Sequence, residues 1–222
     1  MITSTVEDYL ATIYRVTSVN QKSTTTIIAD KMRVSRATVT SMFKKLAESE
    51  LITHVLYKGV SLTATGEKIA LEIIRHHRLI ELYLQNTMGV PWEKVHEEAD
   101  KLEHILSEEI EDRIDKLLNS PTNDPHGAPI PTKDGYVSND NFRRLSQAKK
   151  GEDLLIKRVD EEDSKKLVYL AKKGLYPNTA LKVTNVEPFN GPITIEIDKT
   201  EIILGNKIAD SVFVDEILTK EA

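Results

Sequence analysis

TTTIIADKMRVSRATVTSMFKKLAESELI, residues 24–52, decides how this chain folds. Ile27, Ile28 and Met32 recur at helical spacing, Arg33 and Val34 allow only a brief turn, and Ser35 is a good N-cap for a second helix running through Val39, Met42, Phe43 and Leu46. Two short helices joined by a tight turn read as a helix-turn-helix. In that arrangement the second helix enters the DNA major groove and its N-terminal residues meet base edges. Here those residues are Ser35, Arg36, Ala37, Thr38 and Ser41, with Arg33, Lys44 and Lys45 placed to neutralise phosphates. Small polar side chains there favour contacts with thymine methyls and readout of DNA shape over bidentate pairs. The plainer alternative is a helical hairpin with no DNA role.

The flanks support the DNA-binding reading. Downstream, ITHVLYKGVSLTATGEK holds two β-prone runs, residues 52–56 and 60–63, around Tyr57-Lys58-Gly59. That is a hairpin, and a hairpin after a helix-turn-helix is a wing whose tip residue Lys58 would touch phosphate or reach the minor groove. Upstream, VEDYLATIYRV sets Val6, Leu10, Ile13 and Val16 on one face of a first helix. Glu7 and Asp8 lie near its beginning, where acidic side chains also suit the helix dipole.

Beyond the wing, EKIALEIIRHHRLIELYLQNTMG predicts a long helix beginning at Thr65 or Gly66 and ending near Gly89. His77 and Glu81 share a face of it, whereas His76 points about 100° away and is set aside. PWEKVHEEADKLEHILSEEIEDRIDKLL, residues 91–118, then reads as one unbroken helix opened by Pro91. Val95, Ala99, Leu102, Leu106 and Ile110 form its apolar stripe; His96, Asp100, Glu103 and His104 fall in an arc of about 100° beside that stripe. Two imidazoles and two carboxylates at a helix rim are donors that manganese, ferrous iron and zinc accept. A solvated acidic face with two ordinary histidines accounts for the same pattern.

Residues 119–142, rich in Pro, Gly, Asn and Asp, read as a connector. From 143 onward the period changes. Short β-rich runs at 153–159, 180–187, 192–197, 201–204 and 212–217, with one helix at 164–173, predict a small β-barrel. The fold class is therefore mainly α with small β parts: a winged helix-turn-helix over 1–65, a helical module with its connector over 66–142 and a β-barrel over 143–222.

Charge divides the chain in the same way. Residues 1–60 hold eight Lys and Arg against five Asp and Glu, a net of +3, while residues 61–222 hold 22 against 30, a net of −8. Only the front meets phosphate on this count. There is no cysteine, so disulfides and thiolate ligands are excluded and any metal must be held by oxygen and nitrogen. No apolar run approaches the roughly 20 residues of a membrane span, and MITSTVEDYL lacks a signal-peptide pattern, so a cytoplasmic address without membrane partners is expected.

The order of these motifs resembles the diphtheria-toxin-repressor family of metal-dependent transcriptional regulators, including its manganese-transport-regulator branch. The likeness rests on VEDYLATIY, the helix-turn-helix with its YKGVSLTATG wing, RHHRLIELYL and VHEEADKLEH, in that order. The last segment resembles the small β-barrel of ferrous-iron transport protein A. The resemblance implies a homodimeric repressor that binds a palindromic operator in double-stranded DNA when Fe(II) or Mn(II) is present. It implies two metal sites per subunit, a primary one at Asp8, Asp100, Glu103 and His104 and an ancillary one at His77, Glu81 and His96. Asp124 and His126 are further candidates, since some manganese-type relatives carry a Cys and a His in an equivalent CPHG segment. An acidic run at 160–163 precedes the barrel helix, where Asp163 or Ser164 would cap it and where some relatives supply a carboxylate to the ancillary site. The chain departs from the iron-type pattern, which has Met at Asp8 and Cys at Asp100, and from the manganese-type pattern, with Ala11 and Asp100 where Glu is usual. Intrinsic affinity ranks Zn(II) and Co(II) above Mn(II), so those ions would also bind in vitro.

Two other classes compete. A carboxylate-bridged metalloenzyme on paired helices would place a His three residues after a Glu, and neither Glu81 nor Glu103 has one. No nucleophile or phosphate loop stands out, so neither catalysis nor a small-molecule substrate is expected. A winged-helix regulator that answers to no metal would use its acidic half for dimerisation alone.

Overall fold

Three helices form where the apolar spacing requires them. The computed structural model of the chain, which describes residues 2–19, 21–55, 57, 59–138, 141–160 and 163–217, has α1 at Ser4–Ser18, α2 at Thr25–Met32 and α3 at Arg36–Glu48. Thr24 and Ser35 cap α2 and α3, their hydroxyl oxygens accepting the N–H groups of Ile27 at 3.3 Å and Thr38 at 3.1 Å. Arg33 takes the left-handed conformation, φ 55°, that ends α2 and makes the turn tight. Strands β1 (Ile52–Val55) and β2 (Gly59–Leu62) pair antiparallel as the wing, with Ile52 opposite Leu62. Gly59 has φ 93°, and a Cβ there would stand 2.2 Å from the carbonyl oxygen of Ser23, so only glycine lets the wing approach the start of α2. Lys58, expected at the wing tip, lies outside the described residues.

Helix α4 runs Ala64–Met88, starting one residue before the expected positions. The Thr63 hydroxyl explains the shift, accepting the Gly66 N–H at 3.1 Å as an N-cap does. Two compact units divide the chain. The first comprises Met1–His77, Asp100–Asp112 and Pro131–Val137, and its core joins Val6, Leu10, Ile13, Ile28, Val39, Phe43, Leu46 and Val60. The second comprises Arg78–Ala99, Arg113–Ile130 and Ser138–Ala222.

The helix expected over 91–118 is broken. Helix α5 covers only Val95–Ala99, a 3-10 turn follows at Glu103–Ile105, and α6 is a separate helix, Glu108–Leu117. The cause is a second start signal inside the window: the Ser107 carbonyl accepts the Glu111 N–H at 2.9 Å, and Glu108, Glu109 and Glu111 crowd the first turn of α6, where the dipole favours anions. Val95 and Ala99 are fully buried, but Leu102 and Ile110 are 40% and 46% exposed, so the apolar stripe does not continue. The arc assigned to His96, Asp100, Glu103 and His104 therefore presumed a helix that stops at Ala99.

In the second unit the strands are β3 (Arg143–Arg144), β4 (Asp153–Val159), β5 (Ala180–Val186), β6 (Ile193–Ile197), β7 (Thr200–Leu204) and β8 (Val212–Glu216), with α7 at Ser164–Lys172 and α8 at Asn206–Ala209. The antiparallel sheet has the order β3-β8-β4-β5-β6-β7. Alternate residues of β4 to β8, among them Leu154, Ile156, Val183, Ile195, Leu204 and Val214, enter one core with Leu167 and Leu170 of α7, the small-barrel arrangement expected. Asp163 caps α7, accepting the Lys165 N–H at 3.0 Å; Glu161 and Glu162 of the acidic run lie outside the described residues. Ile156 has no exposure and Ile203, on β7, has 66%. Ile156→Ala should cost about 2–5 kcal/mol in urea unfolding, and Ile203→Ala should change stability by less than about 0.5 kcal/mol; equal costs would mean that the register is wrong.

Candidate metal centre

Within the first unit, α1 and the turn at Glu103–Ile105 meet through four side chains. His104 Nδ1–H donates to Glu7 Oε2 at 2.6 Å, while His104 Nε2 lies 3.0 Å from Asp8 Oδ1 and 3.3 Å from Glu103 Oε1. Ligand atoms of Asp8, Glu103 and His104 all lie within 4.8 Å of one another. Glu103 reaches the other way too, its Oε2 2.5 Å from Nδ1 of the fully buried His77. Asp100 stands at the edge, its side chain 53% exposed and Oδ1 3.4 Å from the same His77 nitrogen.

The charges here are mutually strained. Burial raises the Asp8 carboxyl above the usual carboxylate range, the charges of Glu103 and Asp100 add to that rise, and His104 opposes it. Burial pulls His104 down, but its hydrogen bond to Glu7 and the charges of Asp8, Glu103 and Glu7 outweigh it and leave the imidazole above its ordinary value. The cluster thus recruits positive charge. Three carboxylates and an imidazole are hard oxygen and borderline nitrogen donors, which fits a first-row divalent ion. Glu7 holds the far ring nitrogen, so Nε2 is the one presented to Asp8 and Glu103.

The second unit has its own cluster. Glu81, Asp124 and His126 are buried, and their ligand atoms also lie within 4.8 Å of one another. His96 Nδ1 is 3.0 Å from Glu81 Oε1. His126 Nε2–H donates to the Trp92 carbonyl at 3.2 Å, which fixes the tautomer and leaves Nδ1 as the acceptor nitrogen, 3.7 Å from Glu81 Oε2. Asp124 has two tasks. Its Oδ1 accepts the N–H groups of His126 at 2.8 Å and Ala128 at 2.9 Å, building the turn, while its Oδ2 lies 3.4 Å from Arg78 Nε. Trp92 closes the cluster, its ring centroid 5.1 Å from His126 and 5.0 Å from Tyr176, its indole N–H donating to the Pro125 carbonyl at 2.9 Å.

The candidates from sequence thus sort into two groups. Asp8, Glu103 and His104 converge, with His77 and Asp100 against Glu103's side of that cluster; Glu81 and His96 converge with His126 and Asp124 in the other unit. Sequence reasoning missed Glu7 as a partner of His104, and no periodicity could reveal a contact spanning 97 residues. The DNA-facing candidates Arg33, Ser35, Arg36, Ala37, Thr38, Ser41, Lys44 and Lys45 are all exposed. Among the described residues no helix is long and apolar enough to cross a membrane.

Comparison with known proteins places these features in one lineage. The family model for the iron dependent repressor N-terminal DNA binding domain matches residues 1–60, that for the iron dependent repressor metal binding and dimerisation domain matches 63–132, and the FeoA domain matches 143–216. The iron-dependent repressor IdeR of Mycobacterium leprae (strain TN) is 29% identical over 97% of this chain and 99% of its own length. A solved manganese-dependent transcriptional repressor in complex with manganese is 34% identical, with a TM-score of 0.88 over 96% of this chain and 100% of that one. The crystal structure of ScaR with bound Zn2+ is 35% identical, with a TM-score of 0.82 over 96% of this chain and 99% of that one. With an N-terminal DNA-binding fold, two oxygen-and-nitrogen clusters and full-length similarity of this kind, the chain belongs to the diphtheria-toxin-repressor family of metal-dependent transcriptional repressors.

Proposed function

We propose that this chain represses genes of metal-ion homeostasis in response to Fe(II) or Mn(II), as a homodimer on a palindromic operator. The observation that carries the proposal is that Asp8, on the first helix of the DNA-binding fold, meets Glu103 and His104 across nearly the whole intervening sequence. Asp8, Glu103 and His104, with Asp100 at the edge, would hold the regulatory ion, and Glu81, His96 and His126, with Asp124, a second one. His77 serves the first cluster through Glu103. The bound ion supplies two positive charges where the apoprotein has at most one proton on His104 Nε2.

The protein's own residues then do the regulatory work. Asp8 fixes α1, and with it α3, to the turn that carries Glu103 and His104; Glu7 keeps the imidazole turned the right way. In a dimer that orientation sets the separation of the two recognition helices, and half-sites about 34 Å per helical turn apart accept only the correct one. Metal shifts the population toward the DNA-competent state by its differential affinity, and DNA must tighten metal binding in return. We assign modules 1–65, 66–142 and 143–222 to DNA binding, dimerisation with metal binding, and the barrel, and a cytoplasmic location follows from the target. The DNA-binding fold that carries Asp8 favours regulation over catalysis. Without a thiolate, preference for Mn(II) or Fe(II) over Zn(II) rests on geometry and supply.

Binding to the protein's own upstream region should tighten by about tenfold or more, roughly 1.4 kcal/mol of coupling, on adding buffered Mn(II) or anaerobic Fe(II). Asp8→Ala should leave the fold and the metal-free affinity unchanged while abolishing that gain, as read by fluorescence anisotropy; a variant that still responds fully would sink the bridging role. Trp92 is the only tryptophan in the chain. Mn(II) titration should therefore change its emission through His126, and the change should vanish in Glu81→Gln but persist in Asp8→Ala.

A further inference from the structure

We propose that His76 is a positioning residue for the Asp8–Glu103–His104 cluster and that it acts through its Nδ1–H on the main-chain carbonyl of Glu103. This rests on reading that cluster as a metal centre. The turn bearing Glu103 and His104 has little backbone structure of its own: three residues of 3-10 helix, a backbone bond from Ile105 N–H to the Leu102 carbonyl at 3.2 Å, no side-chain cap, and flanking apolar residues Leu102 and Ile105 that are 40% and 77% exposed. So short a helical segment does not sustain itself in water. Its geometry must come from elsewhere.

His76 supplies it from α4. Nδ1 lies 3.2 Å from the Glu103 carbonyl oxygen and Nε2 3.2 Å from Glu111 Oε2, with the side chain only 8% exposed. A carbonyl oxygen can only accept, so Nδ1 is the donating nitrogen toward Glu103, and Nε2 faces the Glu111 carboxylate. Behind it, Arg75 Nε donates to Glu111 Oε1 at 2.5 Å and Arg75 also donates to the Pro131 carbonyl at 2.8 Å. The chain of contacts runs from Pro131 through Arg75, Glu111 and His76 to the backbone of a residue whose carboxylate faces His104. A buried Arg–Glu pair with a histidine against it is a poor route to stability compared with apolar packing. Fixing a backbone group of the turn that bears Glu103 and His104 is a reason to retain it. The consecutive residues Arg75, His76 and His77 divide the work, the first two gripping Glu111 and the last two gripping Glu103 by its backbone and its side chain.

The two ring nitrogens can be tested apart. Asparagine places its amide near the position of Nδ1, glutamine near that of Nε2, so His76→Asn keeps the donor to Glu103 and His76→Gln keeps the donor to Glu111. Mn(II) binding to the full apoprotein is followed by the loss of the free-ion EPR signal, with thermal unfolding of the same samples and Asp8→Asn as reference. His76→Gln should weaken by about tenfold the class of site that Asp8→Asn weakens, His76→Asn by less than about threefold, and the other class should be unmoved in both. Equal losses in the two variants, no loss in His76→Gln, or a loss that follows thermal stability and affects both classes would overturn the positioning role. If Asp8→Asn alters neither class, the metal-centre reading itself fails. Should a His76 variant not fold, Glu111→Gln carries the question: Nδ1 keeps its carbonyl, so a loss below about threefold is expected and a tenfold loss overturns the proposal.

Discussion

His104 stands between two consecutive acids of α1 and a third that precedes it in its own turn, and the first unit depends on that convergence. A half-buried imidazole among three carboxylates is stable only if the site gains positive charge, because like charges brought together out of water repel strongly. Against the pull of burial, the hydrogen bond to Glu7 and the charges of Asp8 and Glu103 raise the ring's affinity for a proton. The same imbalance suits the cluster chemically to a multiply charged cation. An arrangement built for stability alone would have matched the charges. Here the deficit couples the first helix of a DNA-binding fold to a turn distant in sequence.

The rest of the first unit limits how that turn can respond. The Arg75–Glu111 pair is almost fully buried, and breaking such a pair by removing one partner costs about 3–5 kcal/mol. Helix α6 and the segment at Pro131 are therefore committed to α4, and His76 passes the commitment on to Glu103. What remains exposed at this site is its rim, where the side chains of Asp100 and Asp8 are 53% and 43% accessible.

Much of this was legible in the sequence, for physical reasons. The helix-turn-helix, wing and α4 follow local rules of capping, turn residues and apolar spacing, and the barrel strands alternate buried and exposed residues as half-buried strands must. The break between Ala99 and Glu108 was not legible from apolar spacing, because Val95, Ala99, Leu102, Leu106 and Ile110 fit one helix; only the Ser107 start with its three acids argued otherwise. The grouping of His77 with Glu103, and of Glu81 with His126, depends on tertiary placement that helical angles do not encode. Discarding His76 for pointing away from His77 followed the helix angle correctly and missed that a different face of α4 also meets the Glu103 turn.

The second cluster shows how a chain without cysteine fills a turn that in some relatives carries a thiolate. Asp124 must build the turn before it can serve anything else, and it does so with one oxygen that accepts two backbone N–H groups. The second oxygen then adds a buried negative charge, which Arg78 offsets in part from one turn before Glu81. Gly127 completes the device: with φ 88° and a Cβ that would fall 2.0 Å from the Lys157 carbonyl, it lets the turn lie against β4, where the Val159 N–H donates to the His126 carbonyl at 2.9 Å. The imidazole is thus held at its backbone by the barrel, at Nε2 by Trp92 and across its face by the indole, which leaves Nδ1 directed at Glu81 by packing that exists before any ion arrives. Order of this kind, already built into the fold, lowers the cost of bringing these donor atoms together, and strand β4 of the barrel holds the turn that carries them.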